Sequence, residues 1–152
     1  MDENLVKTRL TIVDFGEDKL APEPPGIGIA LSFGGTTERL RLDVGKPVVL
    51  HGAYQADQDL ISLCTEGLAA SILITALRID KPWGETARLV PPKVTLQRPP
   101  APSGSYDPSY REGGQFNVDL IRFFRIPAEP GRYTVEAVIG PYHSKRLEFE
   151  LE

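Results

Sequence analysis

His51, His143 and Cys64 are the side chains of this sequence best suited to a transition metal. A zinc site needs three or four such ligands convergent on one point, and their spacing here marks no such cluster. A copper centre with two His and one Cys also needs the Cys and one His close together near the C-terminal end. Cys64 stands far from His143, and the only Met is Met1, so that chemistry is rejected and no metal or cofactor is expected. Nucleophilic catalysis needs a Ser or Cys with a base and an orienting group. No Gly-x-Ser-x-Gly is present, and Cys64, set among Leu60, Leu63 and Leu68, reads as a small buried hydrophobe. Two carboxylate pairs, Asp57 with Asp59 and Glu17 with Asp18, could in principle do glycosidase work. Both fall in polar connecting segments and read as solvated charges; neither shows the spaced oxygen ligands of a calcium loop. Gly34-Gly35 and Gly113-Gly114 read as turn glycines without the helix that a phosphate loop requires.

Aromatic residues outside the alternating segments are the more informative feature. Trp83, Tyr106, Tyr110 and Tyr142 all fall in stretches that read as loops. Exposed Tyr and Trp offer large, rigid contact surfaces at small entropic cost. Were three of them to converge at one end of the fold, they would form a contact patch for a protein or a stacking platform for a sugar. The competing reading is that they fold back over the ends of the core.

The elements that must position them are short and extended. The 152 residues suit one domain, 1–152, on the usual size of roughly 100–200 residues. Fourteen prolines exclude long uninterrupted helices. A net charge of −4 with interspersed signs leaves no basic stripe for nucleic acid. No apolar run approaches the ~20 residues of a membrane span, and the acidic N-terminus lacks a signal-peptide pattern, so a soluble, cytoplasmic chain without membrane contact is expected. With one cysteine no internal disulfide can form, which agrees with a reducing compartment.

Alternation of apolar and polar residues predicts strands over Leu5 to Phe15, Ile27 to Phe33, Leu40 to Val44 and Val48 to Gln55. The segment from Asp57 to Ala70 fits a short helix capped by Asp57, or two short strands, about equally well. Ser71 to Asp80 reads as a central strand, Lys81 to Glu85 as a loop, and Ala87 to Gln97 as a weak strand whose Pro91-Pro92 confine it to an edge. Arg98 to Gln115, with four prolines and three glycines, reads as a long irregular loop. Phe116 to Ile126 reads as a strand. The clearest pattern is the terminal hairpin, with Tyr133, Val135, Ala137 and Ile139 on one strand and Leu147, Phe149 and Leu151 on the next. About eight or nine strands joined by short loops, with at most one short helix, predict an all-β fold of two antiparallel sheets packed as a sandwich.

The segment Pro130-Gly131-Arg132-Tyr133-Thr134-Val135 resembles the Pro-Gly-x-Tyr-x-Val pattern of many bacterial immunoglobulin-like and fibronectin III-like modules. Ser144 to Leu151 resembles their closing strand, and Gly45-Lys46-Pro47-Val48-Val49-Leu50 the approach to an early core strand. The resemblance implies an immunoglobulin-like β-sandwich in which Tyr133 hydrogen-bonds back to the preceding corner. The chain departs from it in having no cysteine pair and no core Trp on a strand. By analogy it implies a binding or spacer role. The expected function is therefore a non-catalytic protein-interaction module that uses loop aromatics or a sheet edge, its partner another protein or a second copy of itself. The alternatives are a carbohydrate-binding module and a self-assembling structural subunit.

Overall fold

A computed structural model describes residues 13–14, 19–24, 26–34, 40–90, 107–124, 126 and 129–152, the backbone alone at 13–14. Expectations for 1–12, 15–18, 35–39 and 91–106 lie outside the described residues. These include most of the first strand, Glu17 with Asp18, Gly35, and Tyr106 with the proline-rich stretch before it.

The described residues form ten strands: β1 Val13–Asp14, β2 Gly28–Ser32, β3 Leu40–Leu42, β4 Val49–Ala56, β5 Ile72–Arg78, β6 Trp83–Arg88, β7 Glu112–Asp119, β8 Gly131–Ile139, β9 Tyr142–His143 and β10 Leu147–Leu151. Two short helices, α1 Gln58–Leu63 and α2 Leu120–Phe123, complete them with one 3-10 turn at Ala69–Ser71, which corrects the expectation of at most one helix: Asp119 caps a second one. The described residues are mostly β, in two sheets, consistent with an all-β fold. One runs β1-β7-β4-β2; the other runs β3-β10-β8-β5-β6, with β9 paired to the end of β8.

The expectation of wholly antiparallel sheets is corrected at one place, because β10 pairs β3 in parallel, Phe149 beside Leu40 and Leu151 beside Leu42. Parallel neighbours need a long crossover, and six strands lie between these two along the chain, so their pairing leaves no local signal. All other pairs are antiparallel.

One apolar cluster joins the inward residues of both sheets. The terminal hairpin is built as its alternation demands. Phe149 stands opposite Tyr133 and Leu147 opposite Val135, and all four are buried. Segment 57–70 resolves as a helix: Asp57 Oδ1 accepts the Leu60 N–H at 2.9 Å, while Leu60 and Ile61 are buried.

Three element boundaries differ from expectation. Phe116 to Ile126 is not one strand; β7 stops at Asp119, whose carboxylate accepts the N–H of Ile121 at 3.1 Å and of Val48 at 3.3 Å. That acceptor turns the chain into α2, so Leu120 and Phe124 reach the core at helical spacing. Glu112 to Gln115 belong to β7 and not to a loop, and Gly113-Gly114 are strand glycines. The reason is cross-strand packing. A Cβ at Gly114 would lie 2.7 Å from the Tyr54 hydroxyl oxygen, and a Cβ at Gly52 would lie 2.2 Å from the Phe116 ring. Each strand thus lays an aromatic ring over the glycine opposite it. Finally, Trp83 to Glu85 start β6, paired with β5 from Arg78 opposite Trp83 to Leu73 opposite Arg88.

Candidate functional site

Among the described residues, Trp83, Tyr110 and Tyr142 do not form one patch; Tyr106 lies outside them. Trp83 is the first residue of β6; its ring is half-buried and meets Tyr133 edge-on, centroids 6.0 Å apart at 80°. Tyr110 is half-buried against the core, ahead of β7 in the other sheet. Its N–H donates to Asp107 O at 3.1 Å, and the Asp107 carboxylate, held below its ordinary pKa by the Ser109 hydroxyl and N–H, fixes that turn. Tyr142 lies on β9 and is 36% exposed. Trp83 is level with Tyr133 through Arg78, and Tyr142 is level with Ile139. Six residues of strand separate those levels, about 20 Å. Trp83 and Tyr142 begin or join strands and do not stand in loops, because cross-strand pairing overrides the turn signal of Pro82 and Gly84.

What Trp83 joins is an internal stack. Phe33 meets Phe149 edge-on at 5.9 Å, Phe149 stacks on Tyr133 at 5.1 Å and 9°, and the Arg78 guanidinium lies 5.5 Å from the Tyr133 ring centre. Arg78 donates to Asp80 Oδ1 at 2.9 Å, to Pro130 O at 2.7 Å and to Glu129. These bonds raise the Arg78 pKa and hold Asp80 below its ordinary value. Gly131 makes room for them, since a Cβ there would lie 2.7 Å from Arg78 Nη2. The Pro-Gly-x-Tyr segment therefore seats an arginine from β5. The Tyr133 hydroxyl is buried and has no hydrogen-bond partner among the described residues. Burial raises its pKa, against the opposing pull of Arg78.

Metal and nucleophile candidates are dispersed. Among the described residues no three of His, Cys, Asp and Glu come together. His51 is buried in the four-stranded sheet beside Ser32, His143 is exposed on β9, and Cys64 is buried at the end of α1. Asp57 serves as a helix cap. Among the described residues no helix is long and apolar enough to cross a membrane.

Surface chemistry is concentrated elsewhere, on the outward face of the six-stranded sheet. Over β8, β10 and β3 that face is charged and paired: Arg41 with Glu150 at 3.5 Å, Arg132 with Glu148 at 3.9 Å, Arg146 with Glu136 at 3.9 Å. Over β5 and β6 it is apolar and uncharged toward its middle. Leu73 and Leu77 are 38% and 42% exposed, with Thr75 and Thr86 hydroxyls 2.8 Å apart between them. Ile79 in the turn after β5 and Leu63 on α1 extend the apolar surface. A groove of about 410 Å³ opens beside Leu63, Leu73 and Val138, bordered by the ion pair of Arg88 with Glu66. A smaller one of about 310 Å³ lies by Tyr54, Gly113 and Gly114. There, burial and then Glu112 raise the Tyr54 pKa.

Sequence reasoning missed this face. Its signal was present: Leu73, Thr75 and Leu77 are out of phase with the buried Ile72, Ile74 and Ala76, so β5 is apolar on both sides. No family model, curated protein or solved structure matches this chain.

Proposed function

We propose that this chain is a non-catalytic protein-interaction domain, built as an immunoglobulin-like β-sandwich, that holds its partner on the open β5–β6 half of the six-stranded sheet. The observation that carries this reading is the exposed Leu73–Leu77 strip, which ends at an edge strand, β6, with no neighbour on its far side among the described residues. Contiguous exposed apolar surface beside a sheet edge is where strand-like partners dock. The sandwich is supported by the shared inward cluster of the two sheets and by the terminal hairpin. A sugar platform is less favoured because Trp83 is engaged by Tyr133 and lies far from Tyr142.

The test uses Leu77→Glu and Leu73→Glu in the full chain. Each should abolish capture of the partner from native extract while leaving the melting temperature within a few degrees, since surface changes cost within about 0.5 kcal/mol. Undiminished capture by both variants would refute the reading, as would a glycan panel that shifts the fluorescence of Trp83, the chain's one tryptophan.

A further inference from the structure

The edge of β6 that pairs with no strand among the described residues has a readable hydrogen-bonding phase. Leu89 donates its N–H to Ile72 O at 2.9 Å, which makes 72/89, 74/87, 76/85 and 78/83 the hydrogen-bonded pairs of the β5–β6 ladder. Gly84, Thr86 and Arg88 therefore turn their N–H and C=O groups away from β5, toward the open side. All three are exposed.

Side chains along this edge differ by face. Outward, Gly84 has no side chain, and Leu77 leans over it so closely that a Cβ there would lie 2.5 Å from Leu77 Cδ2. Next along that face is Thr86, and then Arg88, already paired with Glu66. On the core-side face, Glu85 stands between half-buried Trp83 and Ala87. It is exposed and has no ion-pair partner among the described residues. An inward-pointing charge on an edge strand repels most strands that could add there. It leaves one admissible kind, a strand that brings a cation to that position.

We infer that β6 accepts an extended segment of another protein as an added antiparallel strand, and that this segment reads, from N to C, β-branched, basic, apolar. The β-branched residue would stand opposite Thr86, the Lys or Arg opposite Glu85, and the apolar residue opposite Gly84 against Leu77. The basic residue falls at a non-hydrogen-bonded pair, where opposing side chains come closest. A second copy of this chain fits poorly. The two-fold registers that overlap most of β6 set Glu85 against its own mate, directly or on the diagonal, with no cation between them. This inference rests on the interaction reading above and names its partner's chemistry.

The probe is an acetylated, amidated peptide, Ser-Glu-Ser-Val-Lys-Leu-Thr-Ser, titrated into the full chain and followed by Trp83 fluorescence and amide hydrogen exchange. Binding should slow exchange at Gly84, Thr86 and Arg88. Replacing the peptide's Lys with Glu should weaken binding roughly fivefold, the scale of a cross-strand charge pair. Glu85→Lys should invert that preference, and Glu85→Gln should level it. Thr86→Pro should abolish binding of both peptides while the chain stays folded, because the N–H it removes faces the open edge. Absence of binding, equal binding of both peptides to both proteins, or slowed exchange elsewhere would overturn the inference. If the peptide fails while Leu73→Glu and Leu77→Glu still abolish partner capture, strand addition falls and the interaction reading stands. If those variants keep full capture, the reading itself falls.

Discussion

Over β8, β10 and β3 the outward side chains neutralise one another, Arg132 with Glu148, Arg146 with Glu136 and Arg41 with Glu150. Over β5 and β6, on the same face of the same sheet, they are Leu73, Thr75, Leu77 and Thr86, with Arg88 at one end paired to Glu66. Beneath both halves the inward residues are equally buried, Ile74 and Ala76 on one side, Val135 and Phe149 on the other. The two halves thus differ in their outer surface and not in their core. A paired, charged face is satisfied by water and by itself. An apolar one gains by being covered, at roughly 25 cal/mol per Å².

The comparison can be broken at the core first. Ile74→Ala beneath the open half should cost about 2–5 kcal/mol in chemical denaturation, and Phe149→Ala beneath the charged half about 3–5 kcal/mol. A loss under 1 kcal/mol at either would show that the halves do not share one core. Gly131→Ala, at the seam where Arg78 crosses from β5 to the start of β8, should cost about 1–3 kcal/mol by displacing the guanidinium. The same denaturation measurement checks it, and a neutral result would mean Arg78 does not organise that end.

Arg146→Ala, on the charged half, should cost only about 0–1 kcal/mol, less at high salt. Leu77→Thr, on the open half, should leave stability within about 0.5 kcal/mol yet weaken partner capture. A variant set in which Arg146→Ala weakens capture and Leu77→Thr does not would reverse the assignment of the two halves. The smallest effect is expected with pH. Arg78 holds the Asp80 carboxyl below its ordinary value of 3.8. Stability from that pair is therefore present above the unfolded value and lost as pH falls through the lower folded one. Asp80→Asn should flatten the acid limb of a stability–pH curve below about pH 4 and leave the curve near neutrality with the same shape.

Legibility followed the range of the interaction concerned. Tyr133, Val135, Leu147 and Phe149 could be placed because alternation is a property of adjacent residues. Asp57 could be read as a cap because its acceptor serves Leu60, three residues on. Asp119 could not, since half its role is to hold Val48, 71 positions away. Trp83 and Gly113-Gly114 were misread for a related reason. Pro, Gly and a lone aromatic look like turn residues until the sheet brings Arg78 opposite Trp83, or Tyr54 opposite Gly114. The candidate surface was half legible: β5 plainly carried two apolar faces, but nothing local shows which is left open.

Periodicity and proline content act within a few residues, and they alone call for short strands around an apolar interior. The parallel β3–β10 pair, the seating of Arg78 over Tyr133, and the exposure of Leu73 and Leu77 came only with the folded arrangement. Each of these depends on which distant segment comes to lie alongside, and a side chain's surroundings are set by its neighbours in space and not by those in sequence.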